Sequence, residues 1–224
     1  MVKIIAIDGP SGAGKGTISR RLAKKLGFHY LDSGALYRLL GLAAVRHRVD
    51  TSDRNNLPAL AENMDILFEA HGNGENRVLL EAEDVTTELR SEQTATLASQ
   101  VAAHPEVREA LLIRQRSFAR APGLVADGRD MGTQVFPEAQ LKLYLPATIE
   151  ERARRRYKQL LEKGESVSLR ALEEQVRSRD ERDMKREVSP LIAASGAVEI
   201  DTSELSIQEV LDTVLNIALM RNLM

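Results

Sequence analysis

The chain has 224 residues with 31 basic and 33 acidic side chains, which gives a formal net charge of −2. This length suits one large domain or a domain with an insert. The slight negative charge argues against a general nucleic-acid binder, which usually carries a basic surplus. The absence of cysteine excludes a disulfide framework, a thiolate metal site and a cysteine nucleophile.

The two ends of the sequence predict the cellular setting. Residues 2–7 (VKIIAI) form a strand-like run, not a charged leader followed by an apolar segment and a cleavage site. No run approaches the ~18 apolar residues of a membrane-spanning helix, and the apolar tail at 205–224 is interrupted by charges. We therefore expect a soluble cytoplasmic protein that has no membrane partner. The net charge of −2 predicts no nucleic-acid partner, and because no exposed apolar stripe demands a partner chain, we expect a monomer.

The first third of the chain predicts a βαβ unit. The β-branched run at 2–7 indicates a buried parallel strand, and a glycine-rich segment and a helical pattern ending at Gly27 follow it. Residues 28–31 predict a second strand and residues 35–46 a second helix. This order implies a parallel sheet with right-handed crossovers.

The middle of the chain has a different pattern. Residues 64–70 and 77–81 indicate strands around a turn at 71–74, and 83–89 indicates a third, so we predict an antiparallel insert. The α/β pattern then resumes. The predicted helices there are 105–120, 148–164, 168–185 and one starting near 207, and the predicted strands are 124–127, 141–145 and 197–200. Five parallel strands with helices on both faces make a three-layer α/β fold.

The strongest chemical signal lies between the first strand and the first helix. It consists of Gly9, Pro10, Ser11, Gly12, Ala13, Gly14, Lys15, Gly16 and Thr17. Glycines let backbone N–H groups turn inward around an anion, the helix adds its positive end, and the lysine would reach the β- and γ-phosphates of a nucleotide. The usual Mg²⁺-binding hydroxyl directly after the lysine is replaced by Gly16, and the hydroxyl comes one residue later.

Four segments carry a family resemblance that extends over essentially the whole chain. The GKGT ending of the loop resembles nucleoside-monophosphate kinases. Residues 31–38 (LDSGALYR), 126–133 (ADGRDMGT) and 179–186 (RDERDMKR) are similar to bacterial cytidylate kinases specifically. The resemblance implies one P-loop kinase unit over 1–224. Its core would be 1–62, 96–145 and 186–224, its monophosphate-binding insert 63–95, and its helical lid with the following helix 146–185.

The resemblance also implies roles for individual residues. Arg38, Arg129 and Arg179 would hold the acceptor phosphate, Arg108 and Asp130 would contact the base with help from Ser99, and Ser33, Asp183 and Arg186 would surround the ribose. Carboxylate chemistry agrees for Asp130, because a carboxylate accepts hydrogen bonds from the cytosine amine and would face an oxygen in uracil.

Simpler structural roles stay open for these residues. Asp130 could cap a helix or pair with Arg129, and Ser99 could face solvent. Residues 179, 183 and 186 are spaced to share one helix face. The same spacing is typical of a solvated ion-pair ladder, so that role stays open for them.

Two further groups are candidates for donor binding. Four arginines, at 152 and 154–156, open the helix that the resemblance makes the lid over ATP. We assign Arg155 as the ATP contact, although these arginines could instead form a solubilising face. Asp127 ends a strand and could orient Mg²⁺ with Thr17, chiefly through water, or could cap a loop.

Together these features predict a kinase that transfers the γ-phosphoryl group of ATP to CMP or dCMP with Mg²⁺. Lys15, Asp127, Arg129 and Arg179 are the predicted catalytic residues. The acceptor phosphate is largely ionised near neutral pH, so no strong general base is needed, and no pair of histidines suggests one. The alternatives are a P-loop kinase for UMP, AMP or a non-nucleotide, and a non-catalytic nucleotide-binding protein.

Overall fold

The computed structural model describes residues 2–70, 76–162, 164–186, 188–203 and 205–223. Its strands are β1 (Lys3–Asp8), β2 (His29–Asp32), β3 (Ile66–Ala70), β4 (Asn76–Leu80), β5 (Glu83–Asp84), β6 (Gly123–Gly128), β7 (Leu141–Tyr144) and β8 (Val198–Glu199). Its helices are α1 (Lys15–Leu26), α2 (Ser33–Arg46), α3 (Asn56–Asn63), α4 (Glu92–Val101), α5 (Pro105–Arg116), α6 (Ile149–Glu162), α7 (Leu169–Met184) and α8 (Ile207–Met220). A 3-10 turn covers Glu88–Arg90 and a π turn covers Met131–Val135.

The chain forms two compact units, of which the first comprises Met1–Asp32 and Arg116–Met224. This unit holds a sheet with strand order β2-β6-β1-β7-β8, and all neighbouring strands pair in parallel. The register places Asp32 of β2 opposite Asp127 of β6, so two carboxylates meet where these strands end. The predicted α/β fold class with five parallel strands is confirmed.

Apolar packing of α1 and α8 against the strands builds the core of the first unit. Ile18 and Leu22 of α1, with Val210 and Val214 of α8, are buried with strand residues such as Ile5. Full burial of such a side chain contributes about 1.5–3 kcal/mol each. This packing holds the N-terminal end of α1 at the edge of the sheet where β1 ends.

The second unit, Ser33–Gln115, contains the antiparallel sheet β3-β4-β5 and helices α2–α5. The β3–β4 register pairs Phe68 with Val78, which confirms the predicted antiparallel insert. The turn expected at 71–74 lies outside the described residues. Helices α2 and α4 approach closely at Gly41, where an added Cβ would lie 2.7 Å from Leu97 Cβ.

Some elements differ from the expected ones. The third antiparallel strand stops at Asp84, because its carboxylate accepts hydrogen bonds from the N–H and hydroxyl of Thr86 and turns the chain. Helix α4 was not among the predicted elements, although Ser91 caps it by accepting from the Thr94 N–H. Helix α3 was missed as well. No described helix is long and apolar enough to span a membrane.

Candidate active site

The phosphate-loop residues 9–17 comprise the connection from β1 to α1 and the first three residues of α1. Gly9, Gly12 and Gly14 have φ angles of +147°, +82° and +90°, which side chains with a Cβ rarely adopt. At Gly9 an added Cβ would lie 2.4 Å from the Leu145 carbonyl oxygen. Gly14 caps α1, whose first residue is Lys15. The loop therefore has the backbone geometry, at a helix N-terminus, that suits an anion.

Lys15 lies buried beside a carboxylate. Its Nζ donates to the Pro10 carbonyl oxygen across the loop (2.8 Å) and lies 4.0 Å from Asp127 Oδ1. Burial lowers the pKa of the Lys15 ammonium, and Asp127 opposes this effect. A buried cation held by one backbone carbonyl and one carboxylate suits a site that receives the negative charge of phosphate oxygens.

The groups around Asp127 have opposing effects on its pKa. Burial raises the pKa of Asp127, Lys15 lowers it and the neighbouring Asp32 raises it, and the balance of these effects places the pKa at about 6. The Tyr30 hydroxyl donates to Asp127 Oδ2 at 3.3 Å. Tyr30 was not singled out in the sequence, because only strand pairing of β2 with β6 brings it to this carboxylate.

The geometry also explains the unusual glycine after Lys15. A Cβ added at Gly16 would lie 3.2 Å from Asp127 Oδ2, a very tight contact. A serine or threonine at this position would therefore crowd the buried carboxylate. The loop hydroxyl is supplied instead by Thr17.

The oxygen groups at this strand edge fit a magnesium ion. Mg²⁺ typically keeps several waters and is held by one or two carboxylates together with substrate phosphates, not by an all-protein cage. Asp127 and Asp32 are opposite each other in register, and Thr17 lies in the first turn of α1. Within the described ranges no cluster of three or more His, Cys, Asp or Glu side chains forms a closed metal site.

Asp8, the last residue of β1, holds the π turn that follows β6. Its Oδ1 accepts from the Met131 N–H and its Oδ2 from the Gly132 N–H, both at 2.8 Å. Burial raises the pKa of Asp8 to about 7, and the two N–H donors oppose this rise. Asp130 lies buried at the start of this turn, and its side chain does not cap it. Asp8 was missed in the sequence, although it directly precedes the glycine-rich loop.

A second charged cluster joins β6 to α7. Asp183 is fully buried and forms ion pairs with Arg129 and Arg186. Burial by itself raises the pKa of Asp183, but Arg129, Arg186 and Arg179 outweigh it and hold the pKa below its usual range. A buried network is therefore present, not a solvated ion-pair ladder.

One detail of the expected helix face was wrong. Helix α7 ends at Met184, so Arg186 lies beyond the helix and not on a shared face with Arg179. Its guanidinium reaches back to Asp183 from the segment after the helix. The position of Arg186 is therefore set by its charge attraction to the buried Asp183 carboxylate. We had expected helix periodicity to set it.

The candidate residues of the second unit are also partly buried. The Ser33 hydroxyl donates to Gln115 Oε1 at 2.9 Å, and Arg38 Nη1 donates to the Leu89 carbonyl oxygen at 2.6 Å. Arg108 donates to the Ala102 carbonyl oxygen and lies 5.4 Å from the centre of the Tyr37 ring.

Ser99 differs from these residues in its hydrogen bonding. Its side chain is buried, so it is not the solvent-facing helix residue that remained an alternative. The Ser99 Oγ has no hydrogen-bond partner among the described residues. A buried hydroxyl of this kind is costly unless a ligand or water satisfies it.

The arginines at the start of α6 have separate environments. Arg155 donates to the Thr202 carbonyl oxygen at 3.2 Å, Arg154 is exposed, and Arg152 is buried against Asp180. The Arg152–Asp180 pair was not foreseen, because the two residues are 28 positions apart.

A glycine-rich loop after β1, a buried lysine opening α1 and a carboxylate at the end of β6 define a P-loop phosphotransferase. The family model for cytidylate kinase matches residues 5–220. The chain belongs to the cytidylate kinase family.

Curated relatives agree with this assignment. A cytidylate kinase of Marinomonas sp. (strain MWYL1) is 53% identical over 211 residues, covering 94% of this chain and 93% of the relative. One from Pseudomonas savastanoi pv. phaseolicola (strain 1448A / Race 6) is 56% identical, covering 95% and 93%. One from Pseudomonas aeruginosa (strain UCBPP-PA14) is 56% identical, covering 96% and 94%.

Lys15→Ala should reduce kcat by about 10²- to 10³-fold, because it removes a preorganised charge from the transition state. We expect circular dichroism to show a folded protein, since the loop backbone keeps its glycines. Exposed Lys24 on the same helix provides the matched control, and Lys24→Ala should keep wild-type turnover. Normal kcat in Lys15→Ala would contradict the assignment of the loop.

Asp127 should also make stability depend on pH. Its folded pKa of about 6 exceeds the ordinary value of 3.8, so the folded state holds a proton that the unfolded state loses between these pH values. Its contribution to stability therefore falls as pH rises from about 4 to 6. Urea denaturation should show Asp127→Asn matching the wild type near pH 4 and exceeding it by about 1–3 kcal/mol at pH 7.

The pH effect of Asp8 cancels in this comparison, because both proteins contain it. Glu138→Gln, at an exposed carboxylate, is the control and should show no such pH-dependent difference. A constant difference between Asp127→Asn and wild type across this pH range would show that Asp127 ionises at its ordinary pKa.

Proposed function

We propose that this protein transfers the γ-phosphoryl group of ATP to the phosphate of CMP or dCMP, giving ADP and CDP or dCDP. The observation that carries the proposal is the buried Lys15 at the head of α1, beside Asp127 at the end of β6. Membership of the cytidylate kinase family supports the choice of acceptor.

The reaction requires alignment and charge neutralisation more than proton transfer. A phosphate oxygen of CMP attacks the γ-phosphorus as the bond to the bridging β–γ oxygen breaks, and ADP leaves with that electron pair. The acceptor phosphate is largely ionised near pH 7, its second pKa being ~6. Lys15 neutralises charge on the donor phosphates, and Arg129 and Arg179 neutralise charge on the acceptor.

The phosphate loop, residues 9–17, holds the ATP phosphates through its backbone N–H groups, and Arg155 contributes from α6. Asp127 and Thr17 would hold a magnesium ion through water, and the ion would supply further neutralisation of phosphate charge. The carboxylate donors at this strand edge support that assignment.

Acceptor binding in this proposal uses three arginines for the phosphate and polar side chains for the base and the sugar. Arg38, Arg129 and Arg179 bind the CMP phosphate, and Arg108, Asp130 and Ser99 contact cytosine. Ser33, Asp183 and Arg186 surround the ribose. The buried, unsatisfied hydroxyl of Ser99 supports a ligand contact there. The pairing of Asp183 with Arg129 supports a joint role for these two residues near the phosphate and sugar.

The same proposal includes a monomer acting in the cytoplasm, with no membrane or nucleic-acid partner. Size-exclusion chromatography with light scattering tests the monomeric state. A mass near 24.8 kDa supports it, and twice that mass contradicts it.

The direct test measures ADP formation from ATP and Mg²⁺ with CMP, dCMP, UMP, AMP and GMP offered singly. Turnover with CMP and dCMP well above the others supports the proposal. Preferred turnover with UMP or AMP would retain a kinase and contradict the base assignment. No turnover with any of them would contradict the proposed reaction.

Asp130→Asn should lower the preference for CMP over UMP by about 10- to 100-fold in kcat/KM, because the amide can donate to the uracil oxygen as well as accept. Competition assays with both nucleotides measure the ratio. Glu138→Gln removes an exposed carboxylate from the same unit and should leave the ratio unchanged. Unchanged selectivity in Asp130→Asn would mean that other groups recognise the base.

A further inference from the structure

Arg152 on α6 is a buried arginine whose guanidinium is held by the protein itself. Its side chain is 2% exposed. Nε donates to the Ala147 and Thr148 carbonyl oxygens, each at 3.1 Å. Nη1 donates to the Ser11 carbonyl oxygen (3.1 Å) and to Asp180 Oδ1 (3.0 Å), and Nη2 pairs with Asp180 Oδ2. A guanidinium with these bonds has little donor capacity left for a nucleotide.

The side chain touches the phosphate loop in two ways. Its head group binds the Ser11 carbonyl oxygen, and its aliphatic stem borders Gly12, where an added Cβ would lie 3.4 Å from Arg152 Cβ. Gly12 has a φ of +82°, so the loop backbone at this point is in the left-handed region. Arg152 therefore supports the loop from the side of α6.

The other end of the interaction lies on α7. Asp180 is 8% exposed and follows Arg179, which the proposed function assigns to the acceptor phosphate. Asp183, on the next turn, pairs with Arg129. A bidentate arginine–carboxylate pair fixes both distance and orientation, which a lysine cannot reproduce.

We propose that Arg152 and Asp180 form a positioning pair that aligns the donor phosphate loop with the acceptor-phosphate arginine on α7. The pair acts through Ser11 on one side and Arg179 on the other, and contacts neither nucleotide. This proposal rests on the proposed function, because it assumes in-line transfer between ATP and CMP. It assigns Arg152 a different role from that of a lid arginine that binds ATP directly.

Small errors in alignment have large effects on phosphoryl transfer, since a displacement of about 1 Å can cost on the order of 100-fold in rate. We expect Arg152→Lys and Asp180→Asn each to lower kcat by about 30-fold, with KM for ATP and CMP changing by less than about threefold. The double variant should lose about as much as either single variant, because each substitution already breaks the pair.

The experiment is rapid-quench single-turnover transfer with saturating ATP, Mg²⁺ and CMP, combined with steady-state KM values. Arg177→Lys and Glu174→Gln make the same chemical changes at exposed positions of α7 and should behave as wild type. Thermal denaturation gives the temperature at which each variant unfolds, and rates are compared well below that temperature. Arg152→Lys, the more conservative change, carries the test if Asp180→Asn does not fold.

The outcomes separate this proposal from the proposed function. If the wild type does not phosphorylate CMP, the proposed function fails. If the wild type is active and both variants keep kcat within about threefold, the positioning role is overturned while the function stands. A tenfold rise in KM for ATP with unchanged kcat would also overturn it, because that pattern indicates direct nucleotide binding.

Discussion

The first unit depends on holding a buried ammonium group, Lys15, next to a buried carboxylate, Asp127, at the point where the central strands end. Burial disfavours the charged form of each group, and their mutual attraction offsets part of that cost. The parallel pairing of β1 with β6 places Asp127, and the helix following β1 places Lys15. Gly16 fits this arrangement, because a Cβ there would lie 3.2 Å from Asp127 Oδ2 and the carboxylate would have to shift slightly.

The same kind of pairing recurs around α7, where largely buried guanidinium groups lie against buried carboxylates. Asp183 pairs with Arg129 and Arg186, and Asp180 pairs with Arg152. Buried arginines without such partners would be strongly destabilising. Each carboxylate thus offsets part of the cost of burying its guanidinium partner and fixes the orientation of that group.

In the second unit, hydrogen bonds to neutral groups, not ion pairs, orient several of the candidate side chains. Arg38 and Arg108 donate to backbone carbonyl oxygens, and Ser33 donates to Gln115, so their orientation is largely set by the unit's own helices and turns. Ser99 is the contrasting case, since its buried hydroxyl lacks a described partner. A unit that holds preoriented donors and a buried hydroxyl without a described partner has groups suited to recognition of a small polar ligand.

The amino-acid sequence by itself determined the βαβ start, the phosphate loop and Lys15, because strand runs, glycine conformations and helix starts depend on neighbouring residues. It also identified the family, through motifs at 31–38, 126–133 and 179–186. Only the tertiary structure decided that Arg152 binds Asp180 and that Asp8 holds the turn at 131–132. These pairs lie far apart in the chain, and charge alone does not select among many possible partners. Helix packing and strand register bring particular groups together, and burial then makes those contacts necessary.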